Sequence, residues 1–142
     1  VGTTAECNSR WLQNGTSCYY FVHERYNWFD AQSACHYMGA KLTEIGSAEE
    51  NQFVSDLVMT QGHVLDAWIG LEDFADEGTF VWATSREPPV QSFWSPGEPN
   101  DSGAEEDCVY IFKEAKWVDQ NCEKYPHPFV CEMPANEEEI IG

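Results

Sequence analysis

WSPGEPNDSGAEEDCVYIFKEAKWVDQNC, residues 94–122, gathers Glu98, Asn100, Asp101, Glu105, Glu106, Asp107 and Asp119 into one segment closed by tryptophan and cysteine. Carboxylates this dense repel one another unless a cation neutralises them. Calcium is the hard ion that accepts about six to eight oxygen ligands in flexible geometry. Gly97, Pro99, Ser102 and Gly103 mark the segment as loop, where ligands can arrive from several directions. A solvated acidic loop has the same composition, and most charge runs are of that kind. This stretch alone leaves both readings open.

The rest of the chain narrows the choice. Its 142 residues suit one domain, and 42% hydrophobic content with six tryptophans and eight phenylalanines describes a globular core. No run approaches the roughly 18 apolar residues of a membrane span. The chain has no initiator methionine and no signal-peptide apolar region, so it reads as mature and processed. A formal net charge of -18, from 25 acids against seven bases, argues against nucleic acid as partner. It suits a cation, a mineral or a cationic surface, and solubility alone would also explain it.

Six cysteines, at 7, 18, 35, 108, 122 and 131, include no closely spaced pair, and His23, His36, His63 and His127 show no zinc spacing. An extracellular disulfide framework in a secreted protein is the expectation. Asn14-Gly15-Thr16 matches a glycosylation acceptor at Asn14, and Asn14-Gly15 equally suits a type I′ hairpin turn. A Cys7–Cys18 bridge across that hairpin is the economical choice.

Asn27 reads as a helix N-cap with Asp30 at N3; Phe29, Ala34 or Ala31, and Met38 follow at helical spacing, and Gly39 is the stop. Ser47 to Glu50 is a capping box opening a helix to Met59, with Phe53, Leu57 and Val58 inward and Gly62 as terminator. Strands follow at 67–71, 79–83, 108–112, 116–117 and 129–132. The expected organisation is a single domain over 1–133. It includes an N-terminal hairpin extension at 6–26 and a long loop region at 84–107, whose irregularity implies function. An acidic tail, 134–142, is expected to fray. Trp68, Trp82, Trp94 and Trp117 are expected in the core, and His127 on the surface.

The order of two helices, WIGL at 68–71, EPN at 98–100, a Trp-x-Asp unit before Cys122 and FVCE at 129–132 resembles the C-type lectin-like domain, from Cys7 to Glu132. The resemblance implies an α+β fold with two helices, two small antiparallel sheets and a long calcium-binding loop region. It implies disulfides Cys7–Cys18, Cys35–Cys131 and Cys108–Cys122, and a cis Glu98–Pro99 bond. It places a sugar-binding calcium on Glu98, Asn100, Glu106, position 118 and Asp119, with the sugar carried by the same residues. It places an auxiliary calcium on Asp73, Glu77, Asp101, Glu106 and Asp107. EPN resembles the branch that takes mannose-, GlcNAc- or fucose-type glycans.

Position 118 departs from the pattern, because valine supplies neither an oxygen to calcium nor an N–H to a sugar. Water, the Asp119 carbonyl or an inward-turned Gln120 would have to compensate. Two functions therefore compete: a secreted calcium-dependent lectin binding glycoconjugates, and a calcium-stabilised relative binding mineral, ice or protein. Catalysis is not expected, since the acids cluster too tightly for a glycosidase pair, none is flanked by an apolar pocket that would raise its pKa, and no nucleophile–base pattern stands out. One or two calcium ions are the expected cofactors. A homo-oligomer would make a weak site useful, without disulfide linkage.

Overall fold

The computed structural model describes residues 2–100 and 106–140, with backbone alone for 2–5 and 136–140. Ser17–Tyr26 (β3, after Gly2–Glu6, β1, and Leu12–Asn14, β2) buries Tyr19 and Phe21 in its first half. It pairs antiparallel with β2 on one side and with His127–Pro134 (β9) on the other. The β2–β3 loop is Gly15–Thr16 rather than Asn14–Gly15, because Asn14 already pairs with Ser17. Only Gly15 of the two takes positive φ, at 64°. Glycine thus stands first in the loop, not second as a type I′ Asn-Gly turn would have it. The Cys7–Cys18 disulfide closes this unit.

Trp28–Tyr37 (α1) begins where Asn27 Oδ1 accepts from the Asp30 amide at 2.8 Å, an N-cap that satisfies one orphan donor. Its buried stripe is Trp28, Ala31 and Cys35. Phe29, expected inward, is 42% exposed and stacks on Phe74. Trp28 takes the inward place because its indole reaches a partner there, donating to the Ile69 carbonyl at 2.9 Å. Cys35 ties the helix to β9 through Cys131. Lys41–Leu42 (β4) then adds a short pair to β9.

Ala48–Gly62 (α2) opens on the capping box: Ser47 Oγ accepts from the Glu50 amide at 3.1 Å, and Glu50 Oε1 accepts from the Gly46 amide at 2.7 Å. The helix runs three residues beyond Met59, and His63, with φ of 53°, is its left-handed cap. Gly62 is therefore the last helical residue rather than the stop. Its missing side chain has a packing reason, since a Cβ there would lie 2.3 Å from the Phe21 ring.

Ala67–Glu72 (β5) is buried along its whole length and pairs with Val81–Trp82 (β6) and Cys108–Phe112 (β7). Lys116–Gln120 (β8) completes the far edge. The strands run β2-β3-β9-β5-β7-β8, with β4 on β9 and β6 on β5. Two antiparallel groups thus meet through one parallel contact, Trp68 beside Phe129, which joins the two small sheets into one mixed sheet. The tail does not fray as expected: Asn136–Ile140 (β10) pairs antiparallel with β1 as a separate ladder. Its backbone groups find partners at the opposite end of the chain, a pairing that acidic composition could not reveal.

One core cluster lies under the start of the acidic loop, at Phe93 and Trp94. Trp117 is fully buried, and Trp82, Phe93 and Trp94 stand around its ring at 5.6, 5.4 and 5.7 Å. Buried Asn51 accepts from the Trp117 indole at 2.8 Å and donates to the Ala115 carbonyl at 2.7 Å. The Trp117 amide donates to the Phe93 carbonyl and its carbonyl accepts from the Ser95 amide. These bonds fasten the start of the acidic loop to β8. Among the described residues, no helix is long and apolar enough to cross a membrane.

Candidate functional site

β8 carries Asp119 to the sheet edge, where 99% of the residue's surface is covered. The loop fastened beside it returns Glu98 and Asn100. Glu98–Pro99 is a cis peptide bond. The Asn100 amide donates to Asp119 Oδ1 at 3.0 Å and to Glu98 Oε2 at 3.2 Å, while the Asn100 side chain donates to Glu98 Oε1 at 2.7 Å. Three residues spanning 98 to 119 thereby share one polar knot.

Glu98 is also held close to the Asp119 carboxyl. Burial first, then hydrogen bonding to Asp119 and the charges of Asp119 and Glu106, push the Glu98 carboxyl up to about 7. Sequence reasoning expects no acid here to be flanked by an apolar pocket that would raise its pKa; the Glu98 carboxyl is raised nonetheless, by partial burial and by the acids beside it. The two carboxyls are in direct contact, without the spacing of about 5 Å or more that a glycosidase pair needs.

The raised value carries a pH prediction. A carboxyl whose folded pKa exceeds its unfolded value binds its proton more tightly when folded. Its stabilising contribution is full below about 4.5 and is lost as pH rises through about 7. In chelator, the melting temperature of the native chain should therefore fall more between pH 5 and pH 8 than that of Glu98→Gln. Parallel curves for the two proteins would refute the proton at Glu98.

A second cluster lies beside the first. Asp73 follows β5 directly, Asp107 precedes β7, and the Asp73 amide donates to the Asp107 carbonyl at 3.1 Å. Asp73 Oδ2 accepts from the Gly78 amide at 2.8 Å, which folds the 73–78 turn back and brings Glu77 in. One carboxylate oxygen from each of Asp73, Glu77 and Asp107 lies within 4.8 Å of the others. Asp107 Oδ1 is buried and has no hydrogen-bond partner among the described residues. A hard divalent cation fits such an all-oxygen set: it would take the buried lone pairs that no N–H satisfies and cancel the mutual repulsion. Asp101, expected here, lies outside the described residues, as does Glu105. Glu106 joins the two clusters in sequence and acts electrostatically on both Glu98 and Tyr110.

Gln120 does not turn inward. Its Oε1 faces His127 Nε2, and His127 Nδ1 faces Asp66. His127, expected on the surface, has a side chain only 12% exposed, packed edge-on to Trp68 and stacked on Tyr110. The His127 contact and the neighbouring Arg25 hold the Asp66 carboxyl below its usual range, against the opposing effect of burial. Sequence reasoning missed Tyr110, His127 and Asp66 because their contacts span up to 61 residues, and nothing local marks them.

A two-helix α+β domain with three bridges, Cys7–Cys18, Cys35–Cys131 and Cys108–Cys122, and an oxygen-rich loop at its sheet edge defines the class of protein. The chain belongs to the C-type lectin domain family, whose model matches residues 24–133. It is 37% identical over 129 residues, 91% of its length, to the low affinity immunoglobulin epsilon Fc receptor of Mus musculus. It spans 38% of that receptor. In three dimensions it resembles the cow C-type carbohydrate-recognition domain of CD23, determined in the presence of GlcNAc2Man3 oligosaccharide. The TM-score is 0.85 and the identity 34%, covering 94% of this chain and 99% of that one. It also resembles a calcium-independent type II antifreeze protein, with TM-score 0.83, 26% identity, and 94% and 98% coverage.

Proposed function

We propose that this domain is a secreted, calcium-dependent carbohydrate-binding module without catalytic activity, taking mannose-, GlcNAc- or fucose-type glycans. One observation carries the reading: Glu98, Asn100 and Asp119 meet in a single hydrogen-bonded knot at the sheet edge. Glu98, Asn100, Glu106 and Asp119 would hold one calcium, and Asp73, Glu77, Asp101, Glu106 and Asp107 the other. Bound calcium would offer coordination positions to two vicinal sugar hydroxyls. The chain's own part is to orient those hydroxyls. Carboxylate oxygens of Glu98 and Asp119 accept their hydrogen bonds, and the Asn100 amide donates to their oxygens. The recognition unit is proposed to be 1–133, with a homo-oligomer raising a weak site to useful avidity.

The runner-up has its own observation, the valine at 118 together with the likeness to an antifreeze protein described as calcium-independent. In that reading the loop binds a non-sugar surface, such as mineral, ice or protein.

An immobilised glycan array in millimolar calcium, with a chelated control, tests both. Chelator-sensitive binding to mannose-, GlcNAc- or fucose-terminated glycans is expected. Glu98→Gln should weaken it by about ten- to a hundredfold, the worth of a charge-assisted hydrogen bond. Glycan binding that ignores chelator would remove calcium from the reading, and no glycan binding beside a clear calcium-induced thermal shift would hand the site to the runner-up.

A further inference from the structure

Val118 leaves a gap in the set of sugar donors, and the strand pairing shows what stands next to it. The β7–β8 register sets Tyr110 directly opposite Val118, so both side chains leave the sheet on the same face. Cross-strand partners have Cβ atoms about 4.5–5.5 Å apart, which starts the phenol ring beside the place an amide would occupy. The ring is held on several sides: it stacks on His127 at 4.5 Å and 23°, and meets Trp68 and Phe112 edge-on at 6.2 and 6.0 Å. His127 is itself gripped between Asp66 and Gln120, so the platform beneath the phenol is not free to move. Tyr110 remains half-buried, with Glu98, Glu106 and Asp119 close enough to act on its ionisation. The phenol is an O–H donor at neutral pH, as any tyrosine is, and burial, then Asp66 and those three acids, raise it further above its ordinary value.

We infer that Tyr110 is a sugar-contacting residue, its phenol O–H donating to a ligand hydroxyl from the side that Val118 leaves open. The phenol contributes orientation and selectivity, while calcium is held by the carboxylates. This inference rests on the sugar-binding reading above.

Tyr110→Phe removes the donor and keeps the ring on His127. Titration with a mannose-terminated oligosaccharide in calcium should show affinity reduced about two- to tenfold, the net worth of one hydrogen bond. The melting temperature and its calcium-induced rise should stay at the native values. Val118→Asn placed in the Tyr110→Phe chain should recover affinity, because the amide then returns to its gap. Unchanged affinity in Tyr110→Phe would overturn the inference while leaving the lectin reading intact. So would a loss of affinity accompanied by loss of the calcium-induced rise, since that marks a structural role. Failure of the unaltered protein to bind any glycan would overturn both.

Discussion

Removing calcium should lower the melting temperature by roughly 5–10 °C, and Asp107→Ala should abolish most of that difference. A ligand that binds only the folded state at about 100 times its Kd stabilises by about 2.7 kcal/mol. For a domain of this size each kcal/mol corresponds to about 2–4 °C. Asp107 is the critical member because its Oδ1 is buried without a hydrogen-bond partner among the described residues, while its carbonyl already serves the Asp73 amide. The substitution therefore removes a ligand but keeps the backbone bond that positions Asp73. In chelator the variant should melt at or above the native protein, since a carboxylate oxygen buried without a hydrogen-bond partner among the described residues has gone. Differential scanning calorimetry of both proteins, with calcium and with chelator, checks this. A calcium-induced rise of the same size in Asp107→Ala would remove the second cluster from the account.

Trp117→Ala should cost about 4–8 kcal/mol and weaken calcium binding at the same time. Emptying a fully buried aromatic position costs about 3–5 kcal/mol, and losing the indole leaves Asn51 Oδ1 without its donor, worth about 1–3 kcal/mol more. Asn51 is only 3% exposed, so water does not replace the bond freely. The effect reaches the site because Phe93 and Trp94, which begin the acidic loop, pack on this ring. With the ring gone, the backbone bonds at Phe93 and Ser95 must hold the loop unaided. Trp117→Phe fills most of the volume and should lose far less, which separates packing from the hydrogen bond. Urea unfolding and calcium titration of the two variants give the answer. A Trp117→Ala protein within about 1 kcal/mol of native stability would mean that the ring is not the support of the loop.

Much of the architecture was legible along the chain. Asn27 with Asp30 and Ser47 with Glu50 announce their helices because a cap and its amide are three residues apart. The strand at Cys108–Phe112 carries its own apolar composition and appears with those bounds. The family motif marked which acids to watch, but motif order alone did not bring them together. Asp73 and Asp107 meet because a backbone bond links the end of β5 to the residue before β7. Glu98 acquires its raised pKa from burial and from an acid 21 positions away that the β8 edge delivers to it.

By itself, then, the sequence determined what local chemistry can encode: helix starts, strand composition, the density of oxygen ligands, and the valine at 118. Tertiary structure alone decided which of two adjacent aromatics, Trp28 or Phe29, turned inward. It also drew His127 from an expected surface turn into a packed seat, and stood Tyr110 beside Val118. It paired the two ends of the chain as a ladder. Each of these outcomes depends on hydrogen-bond partners and ring contacts supplied by residues far away in the chain. The energy that chooses among them exists only once the strands are in register.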